Sequence, residues 1–142
     1  MGDEPRQPRH GYGQYRDYQR RQGTGSVFGG YVQDAIPGTA TGNTVTIKGS
    51  PTFGASTSIA GGFNQSPHAL DDLRTGNTLN LHSPVTVRWA NNFENWNFFL
   101  PSTMGNGGTM LTVTNGTTDL GTNANVNVGI EGSSFRFASS QS

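Results

Sequence analysis

The chain contains no cysteine, a single lysine and few large aliphatic side chains. Without cysteine it can form neither a disulfide framework nor a thiolate metal site. Only 31% of its 142 residues are hydrophobic, which is too little for a conventional layered core. No apolar run approaches the roughly 20 residues needed to span a bilayer, and residues 1–22 lack the apolar core of a signal peptide. We therefore expect neither an anchor nor an export signal in the chain as given.

Small and polar residues take the place of the missing aliphatic ones. The sequence has 21 glycines, 17 threonines and 13 asparagines. Glycine or asparagine interrupts nearly every stretch of ten residues, and β-branched residues alternate with polar ones, so helix is disfavoured. This composition suits a narrow solenoid, in which each short strand buries one or two side chains and glycines allow tight corners.

The sequence repeats itself. TGNTVTIKG (41–49) returns 34 positions later as TGNTLNLHS (75–83). Upstream of the two copies stand VFGGYV (27–32) and IAGGFN (59–64), which are 32 positions apart. The second unit thus gains two residues in the loop 64–74, where added length costs little. Each unit reads as a short strand, a Gly-Gly corner, a variable loop, a TGNT turn and another short strand.

The repeated turn predicts a definite stacking. If TGNT forms the same corner on successive coils, Asn43 lies over Asn77 at the ~4.8 Å spacing of paired strands. Gly42 and Gly76 then supply the backbone freedom of the corner, and the asparagine side chains hydrogen-bond along the ladder.

The same stacking predicts which side chains are inside. Val45 is expected over Leu79, and Ile47 over Leu81, in the interior. Val45→Asp should then disrupt folding, whereas the same change at Thr46, which faces outward, should be mild. From residue 76 onward, alternation predicts further shared faces: Leu79 and Leu81; Val85, Val87 and Trp89; Trp96, Phe98 and Leu100 with Phe99 opposite; Leu111 and Val113; Val126, Val128 and Ile130.

Charge divides the chain into two parts. Residues 1–22 carry five arginines and three acids, and their only apolar side chains after Met1 are tyrosines. We expect a disordered basic tail there; binding to nucleic acid through arginine and tyrosine is the less favoured alternative. The predicted division is a tail (1–22), β-solenoid repeats (23–134) and a polar C-terminal tail (135–142).

Between residues 25 and 134 the repeats resemble a known family. The TGNT turns with their Gly-Gly-aromatic partners, followed by FENWNFFLPSTMGNGGTMLTV (93–113) and VNVGIEGSS (126–134), are similar to the last passenger-domain repeats of Gram-negative type V autotransporters. The resemblance implies an all-β fold, a right-handed parallel β-helix, here of about three coils. It also implies exposure at the cell surface, with export by an outer-membrane barrel. That barrel is missing here, so we expect a fragment or truncated product.

Candidate chemistry is sparse. Asp71 and Asp72 are adjacent, but neighbours in a strand point to opposite faces and neighbours in a loop are commonly solvated. His10, His68 and His82 have no metal-like spacing, and for His68 near the two aspartates we prefer a solvated loop to a hard-cation site. We assign no catalytic, cofactor-binding or metal-ligating residue, and no cofactor.

Two functions are considered. The first is a non-catalytic, surface-exposed segment with a structural or adhesive role, with a surface glycan or a protein as ligand. The second is a carbohydrate-active enzyme on the same scaffold, which would need two or three acids, or an acid with lysine or arginine, at equal positions on successive coils. Asp34, Glu94, Asp119 and Glu131 do not share such a position, so the first is preferred.

Self-association is also expected. Residues 131–142, EGSSFRFASSQS, provide no evident cap after Ile130. Open strand edges favour edge-to-edge association and marginal stability. We expect no nucleic-acid partner and no membrane span.

Overall fold

The chain is described by a computed structural model. It describes residues 25–33 and 37–131 in full, and the backbone alone of residues 11–12, 15–19, 22–23 and 137–141. In these ranges every regular element is a β-strand, as the composition predicts. None of the described segments is a helix long and apolar enough to cross a membrane.

Fifteen short strands are described along the chain. They are β1 (Gly11–Tyr12), β2 (Tyr15–Gln19), β3 (Gln22–Gly23), β4 (Val27–Val32), β5 (Ala40–Thr41), β6 (Thr44–Lys48), β7 (Thr52–Phe53), β8 (Ile59–Asn64), β9 (Thr78–Leu81), β10 (Val85–Val87), β11 (Ala90–Asn91), β12 (Asn95–Leu100), β13 (Leu111–Val113), β14 (Asn125–Ile130) and β15 (Phe137–Gln141).

These strands form a parallel β-solenoid of about three turns. The long sheet has the order β15-β14-β12-β9-β6-β2, and a second sheet has the order β11-β8-β4. Three two-stranded sheets, β1-β5, β3-β7 and β10-β13, complete the turns. Within the described residues every pairing is parallel except that of β14 with β15. Because parallel neighbours require a crossover, each of the strands β2, β6, β9 and β12 connects to the next parallel strand of the long sheet through strands on the other sides of the coil.

The register of the TGNT strands is the predicted one. Val45 pairs with Leu79 and Ile47 with Leu81, and all four side chains are fully buried. Trp96 continues the first of these rows, since it pairs with Leu79. The interior is thus a stack of single apolar side chains, as expected for a narrow solenoid.

The TGNT corner is also confirmed. Gly42 and Gly76 have φ angles of 67° and 69°, in the left-handed region that glycine adopts without steric cost. Asn43 and Asn77 are fully buried, and the N–H of Asn43 donates to Oδ1 of Asn77 over 2.8 Å. The two asparagines are therefore joined across successive turns, by a bond from the backbone of one to the side chain of the other.

The Gly-Gly pairs, however, are not corners. Gly29 and Gly30 lie within β4, and Gly61 and Gly62 lie within β8, in the middle of extended strands. A Cβ on Gly29 would lie 2.7 Å from the carbonyl oxygen of Gly61, and one on Gly61 would meet the carbonyl oxygen of Asn92. Glycine is needed here because neighbouring chain segments approach closely, not because the chain bends.

The extra length of the second unit lies in the predicted loop. Asn64 pairs with Val32, 32 positions earlier, and the bridge from Asp72 to Thr39 spans 33 positions. The TGNT strands then pair at an offset of 34. Compared with the first unit, the second has one extra residue before Asp72 and one after it. Both lie in the loop, so the offset between paired residues stays constant within each sheet.

The third turn is much shorter, which the repeat did not predict. Thr78 pairs with Asn95, only 17 positions later. Strand β11 covers just the first two positions of β8 and then ends. Asn92 follows with a φ of 62°, and the N–H groups of Glu94 and Asn95 donate to the carbonyl of Asn77. This turn therefore omits the Gly-Gly segment and its loop.

Most predicted inner faces are confirmed. Val85 and Val87 are buried, Trp96 is fully buried, and Phe98, Leu100, Leu111 and Val113 pack against the core. Trp89 does not follow the alternation of β10. It lies in the bend between β10 and β11 and is only partly buried, while the next residue, Ala90, takes the interior position.

The last turn departs from two predictions. Val126 packs against the core, but Val128 and Ile130 are 37% and 63% exposed and do not belong to it. The expectation that nothing caps the chain after Ile130 is wrong for the long sheet. There, β15 pairs antiparallel with residues 125–129 and covers their edge.

The side chains of both predicted tails, residues 1–22 and 135–142, lie outside the part of the chain that the structure describes. Within residues 1–22, the backbone of β2 pairs with β6 and that of β1 with β5. The division at residues 22 and 134 stays a prediction, and so does edge-to-edge self-association.

Candidate functional site

Asp71 organises the loop between β8 and β9. Its Oδ1 accepts a hydrogen bond from the N–H of Gly38 over 2.6 Å, and its Oδ2 accepts one from the N–H of His68 over 2.9 Å. Nδ2 of Asn64 donates to both oxygens, at 3.1 and 3.0 Å. Burial raises the pKa of Asp71, but these hydrogen bonds together outweigh it, so the pKa lies below its ordinary value.

Asp72 serves a different turn. Its Oδ1 accepts from the N–H groups of Arg74 and Thr75, at 3.2 and 3.0 Å. Burial raises the pKa of Asp72, while hydrogen bonds from Thr75 and Arg74 and the charge of Arg74 bring it below the ordinary value. The two adjacent carboxylates thus hold separate pieces of backbone and are partly buried, not solvated as expected for neighbours in a loop.

The other acids lie apart. Oε1 of Glu94 accepts from the N–H of Gly76 at 3.0 Å, and Oδ1 of Asp119 accepts from the N–H of Gly121 at 2.8 Å. Both therefore hold turns. Asp34 lies outside the described residues.

The histidines differ in their surroundings. Nδ1 of His68 accepts from the N–H of Leu70 at 3.1 Å within its own loop. His10 lies outside the described residues. No group of three or more His, Cys, Asp or Glu in the described part of the chain is arranged to hold a metal ion.

Polar side chains form two ladders on the outer face of the long sheet. In the first, which we call the amide ladder, Nδ2 of Asn127 donates to Asn97 at 2.8 Å, Nδ2 of Asn97 to Asn80 at 2.9 Å, and Nδ2 of Asn80 to Oγ1 of Thr46 at 3.4 Å. In the second, Asn125 donates to Asn95, and Asn95 to Thr78. Each turn is therefore joined to the next by side chains as well as by backbone.

Aromatic rings form a third outward feature, on the second sheet. The rings of Phe28 and Phe63 stack with centroids 4.4 Å apart and planes 3° apart. Tyr31 lies beside both, and its hydroxyl donates to Oε1 of Gln65 over 2.6 Å. The stack joins the first two turns of this sheet.

A cleft lies where the strands of the long sheet end. Its volume is about 690 Å³, and Lys48, His82 and Glu131 contribute to its lining. Nδ1 of His82 lies 2.8 Å from Oε1 of Glu131, and the His82 ring stacks on Phe99 with centroids 4.0 Å apart and planes 9° apart. Side chains at or directly after the ends of four strands of the long sheet, β6, β9, β12 and β14, therefore meet at one place.

The cleft also has a fixed rim. Gly49 and Ser50 have φ angles of 78° and 56°. The N–H of Ser50 donates to Oγ of Ser83, a buried side chain, over 2.9 Å. A left-handed serine directly before Pro51 is unfavourable, since residues that precede proline prefer extended backbone. The surrounding contacts hold this conformation in place.

The sequence did not assign the cleft, although one signal was present. His82 and Lys48 directly follow Leu81 and Ile47, which are register partners. Phe99 likewise follows Phe98, the partner of Leu81. The repeat therefore places Lys48 and His82 in one row, and the pairing of β9 with β12 adds Phe99 to it. Glu131 could not be placed, because it follows a turn whose loop length the repeat does not fix.

Comparison of the chain with protein-family models, with curated proteins and with solved structures finds no match.

Proposed function

We propose that this chain is a non-catalytic β-helical segment exposed at a cell surface, where it serves a structural or adhesive role. The amide ladder carries the proposal. Its side chains are polar and uncharged, and each internal asparagine accepts from one turn and donates to another. Such an array stiffens the coil and presents a regular hydrogen-bonding face to a glycan or to a protein strand.

The resemblance to autotransporter passengers supports the surface location. The TGNT turns and the segment around Phe93, which carry that resemblance, form the corners and the core of the solenoid. Phe93 and Trp96 are fully buried and pack edge to face, with ring centroids 5.2 Å apart. We therefore propose that the solenoid belongs to a passenger domain of this type.

Protease shaving of intact cells that produce the chain tests the surface location. We expect an antibody to the solenoid to label intact cells, and external protease to remove that label without releasing a cytoplasmic marker. A chain that becomes accessible only after lysis would rule out the surface role. Attachment of protein-coated beads to glycan-bearing and deglycosylated cells then separates an adhesive role from a purely structural one.

A carbohydrate-active enzyme is the second candidate, favoured by the carboxylate of Glu131 beside the imidazole of His82. Most glycoside hydrolases use two carboxylates, and among the described residues that line the cleft Glu131 is the one acid. The test is the release of reducing ends from soluble polysaccharides. Turnover by the wild-type chain that disappears in Glu131→Gln would favour the enzyme over the non-catalytic segment.

A further inference from the structure

The cleft is preorganised around His82. The imidazole is held on one side by the carboxylate of Glu131 and on one face by the ring of Phe99. Its side chain keeps 21% of its surface exposed. Because Nδ1 is engaged by Glu131, Nε2 is the ring nitrogen that can serve a ligand. A side chain fixed in this way loses little conformational entropy when it binds.

The charges around the cleft have opposite signs. Lys48 contributes an ammonium group and Glu131 a carboxylate. Because the two charges are opposite, a charged ligand of either sign is attracted by one group and repelled by the other, so the lining favours neither sign. A neutral ligand that is rich in hydroxyls avoids this repulsion, since a hydroxyl can accept from an ammonium group and donate to a carboxylate.

The remaining lining is half apolar and half hydroxylated. Pro84, Pro101 and Met104 offer flat apolar surface, while Ser83 and Thr103 carry hydroxyl groups. The volume lies within the ~300–1,000 Å³ that is typical of small-molecule sites. A sugar ring presents the matching combination of C–H faces and equatorial hydroxyls.

We infer that this cleft binds a neutral sugar residue of a glycan. This inference rests on the proposed adhesive role and specifies it. Glu131 accepts hydrogen bonds from ligand hydroxyls, and Lys48 and Nε2 of His82 supply further polar contacts. The prolines and Met104 contact the apolar face of the ring. The adjoining amide ladder then offers a surface along which the glycan chain continues.

Saturation-transfer NMR and calorimetry on the full chain test the inference. The probes are methyl β-glucoside and methyl β-galactoside as neutral sugars, with methyl β-glucuronide and glucosamine as acidic and cationic analogues. We expect a neutral glycoside to bind with a Kd on the order of 1 mM, and the charged analogues to bind at least about fivefold more weakly. Glu131→Gln and Lys48→Met should each weaken binding about tenfold.

Matched controls remove the same charges elsewhere. Asp119→Asn and Arg88→Met lie outside the cleft and should leave the Kd within about twofold. Thermal melting verifies that each variant folds, and if Glu131→Gln does not fold, Lys48→Met decides. The inference is overturned if the folded wild-type chain shows no saturation transfer to either neutral glycoside at about 20 mM, if a charged analogue binds more tightly, or if a folded cleft variant binds as well as the wild type.

The two proposals fail separately. A chain that protease removes from intact cells but that binds no glycoside overturns the sugar site alone. If the chain is protected in intact cells but binds a neutral glycoside through Glu131 and Lys48, the surface role is excluded and the sugar site stands.

Discussion

The backbone N–H of Asn43 donates to Oδ1 of Asn77, a side chain 34 positions later, over 2.8 Å. The two N–H groups of Asn77 Nδ2 are shared among the carbonyl oxygens of Ala40, Leu73 and Asn92, at 2.9, 2.6 and 3.2 Å. One fully buried amide thus satisfies backbone groups on three successive turns. Asn77 is a structural centre of the solenoid.

Replacing Asn77 should be severe. In Asn77→Ala several buried backbone groups lose their partner, so we expect a loss of about 3 to 5 kcal/mol in the free energy of unfolding. In Asn77→Asp a carboxylate oxygen would face three carbonyls, and the loss should be at least as large. Urea denaturation measures both. Asn106→Ala, at an exposed turn, is the control and should change stability by less than about 0.5 kcal/mol. Equal effects at the two positions would contradict the role of Asn77.

Gly61 should not tolerate a side chain. A Cβ there would meet the carbonyl oxygen of Asn92 and would lie 2.5 Å from Cβ of Asn77. We expect Gly61→Ala to cost about 3 kcal/mol or to prevent folding, because the obstacles are backbone and a buried side chain. A Cβ on Gly105 meets nothing within 4 Å, so Gly105→Ala is the matched control. Calorimetric melting of the two variants should separate them clearly; similar melting temperatures would refute the close approach.

Three aspartate substitutions compare inner and outer positions. Val45→Asp should prevent folding, because it buries an unpaired charge in the core. The sequence-based expectation that Thr46→Asp is mild is revised. Thr46 does face outward, but it is only 5% exposed within the ladder, beside Asn80. We expect a clear loss there as well, and a mild effect at Thr86, which is exposed. Circular dichroism and urea midpoints would rank the three; a stable Val45→Asp chain would contradict the packing.

Acid should weaken the loop that Asp71 holds. The pKa of Asp71 is lower in the folded chain than its ordinary value of 3.8. Its contribution to stability is therefore complete above about pH 4 and is lost as the pH falls through the folded value. We expect a lower urea midpoint at pH 3 than at pH 6, and a smaller difference between these midpoints in Asp71→Asn. Asp119→Asn, in an exposed loop, serves as the control. An unchanged pH dependence in Asp71→Asn would exclude this role.

The repeat predicted the stacking of the TGNT strands because identical turns followed by alternating residues fix both register and face. Val45 over Leu79 and Ile47 over Leu81 follow from that alone. The corner glycines, Gly42 and Gly76, were predictable for the same reason, since the turn needs a left-handed residue.

Other features depended on contacts that a repeat does not reveal. A Gly-Gly pair reads equally as a bend or as a site of close approach, and only the proximity of Gly61 to Asn92 decides between them. The depth of Thr46 depends on the side chains of neighbouring turns. The cleft required Lys48, His82 and Glu131 to converge from distant turns, and the last of these follows loops of unpredictable length.

The short third turn shows how small this coil can be. Its 17 residues, from Thr78 to the partner position at Asn95, are enough to close one circuit. At ~3.3 Å per residue, such a circuit has a perimeter of at most about 56 Å. A cross-section bounded by that perimeter has room for few large side chains at each level. The small perimeter of the coil therefore accounts for the scarcity of leucine and isoleucine. The longer turns add their residues outside this minimal ring.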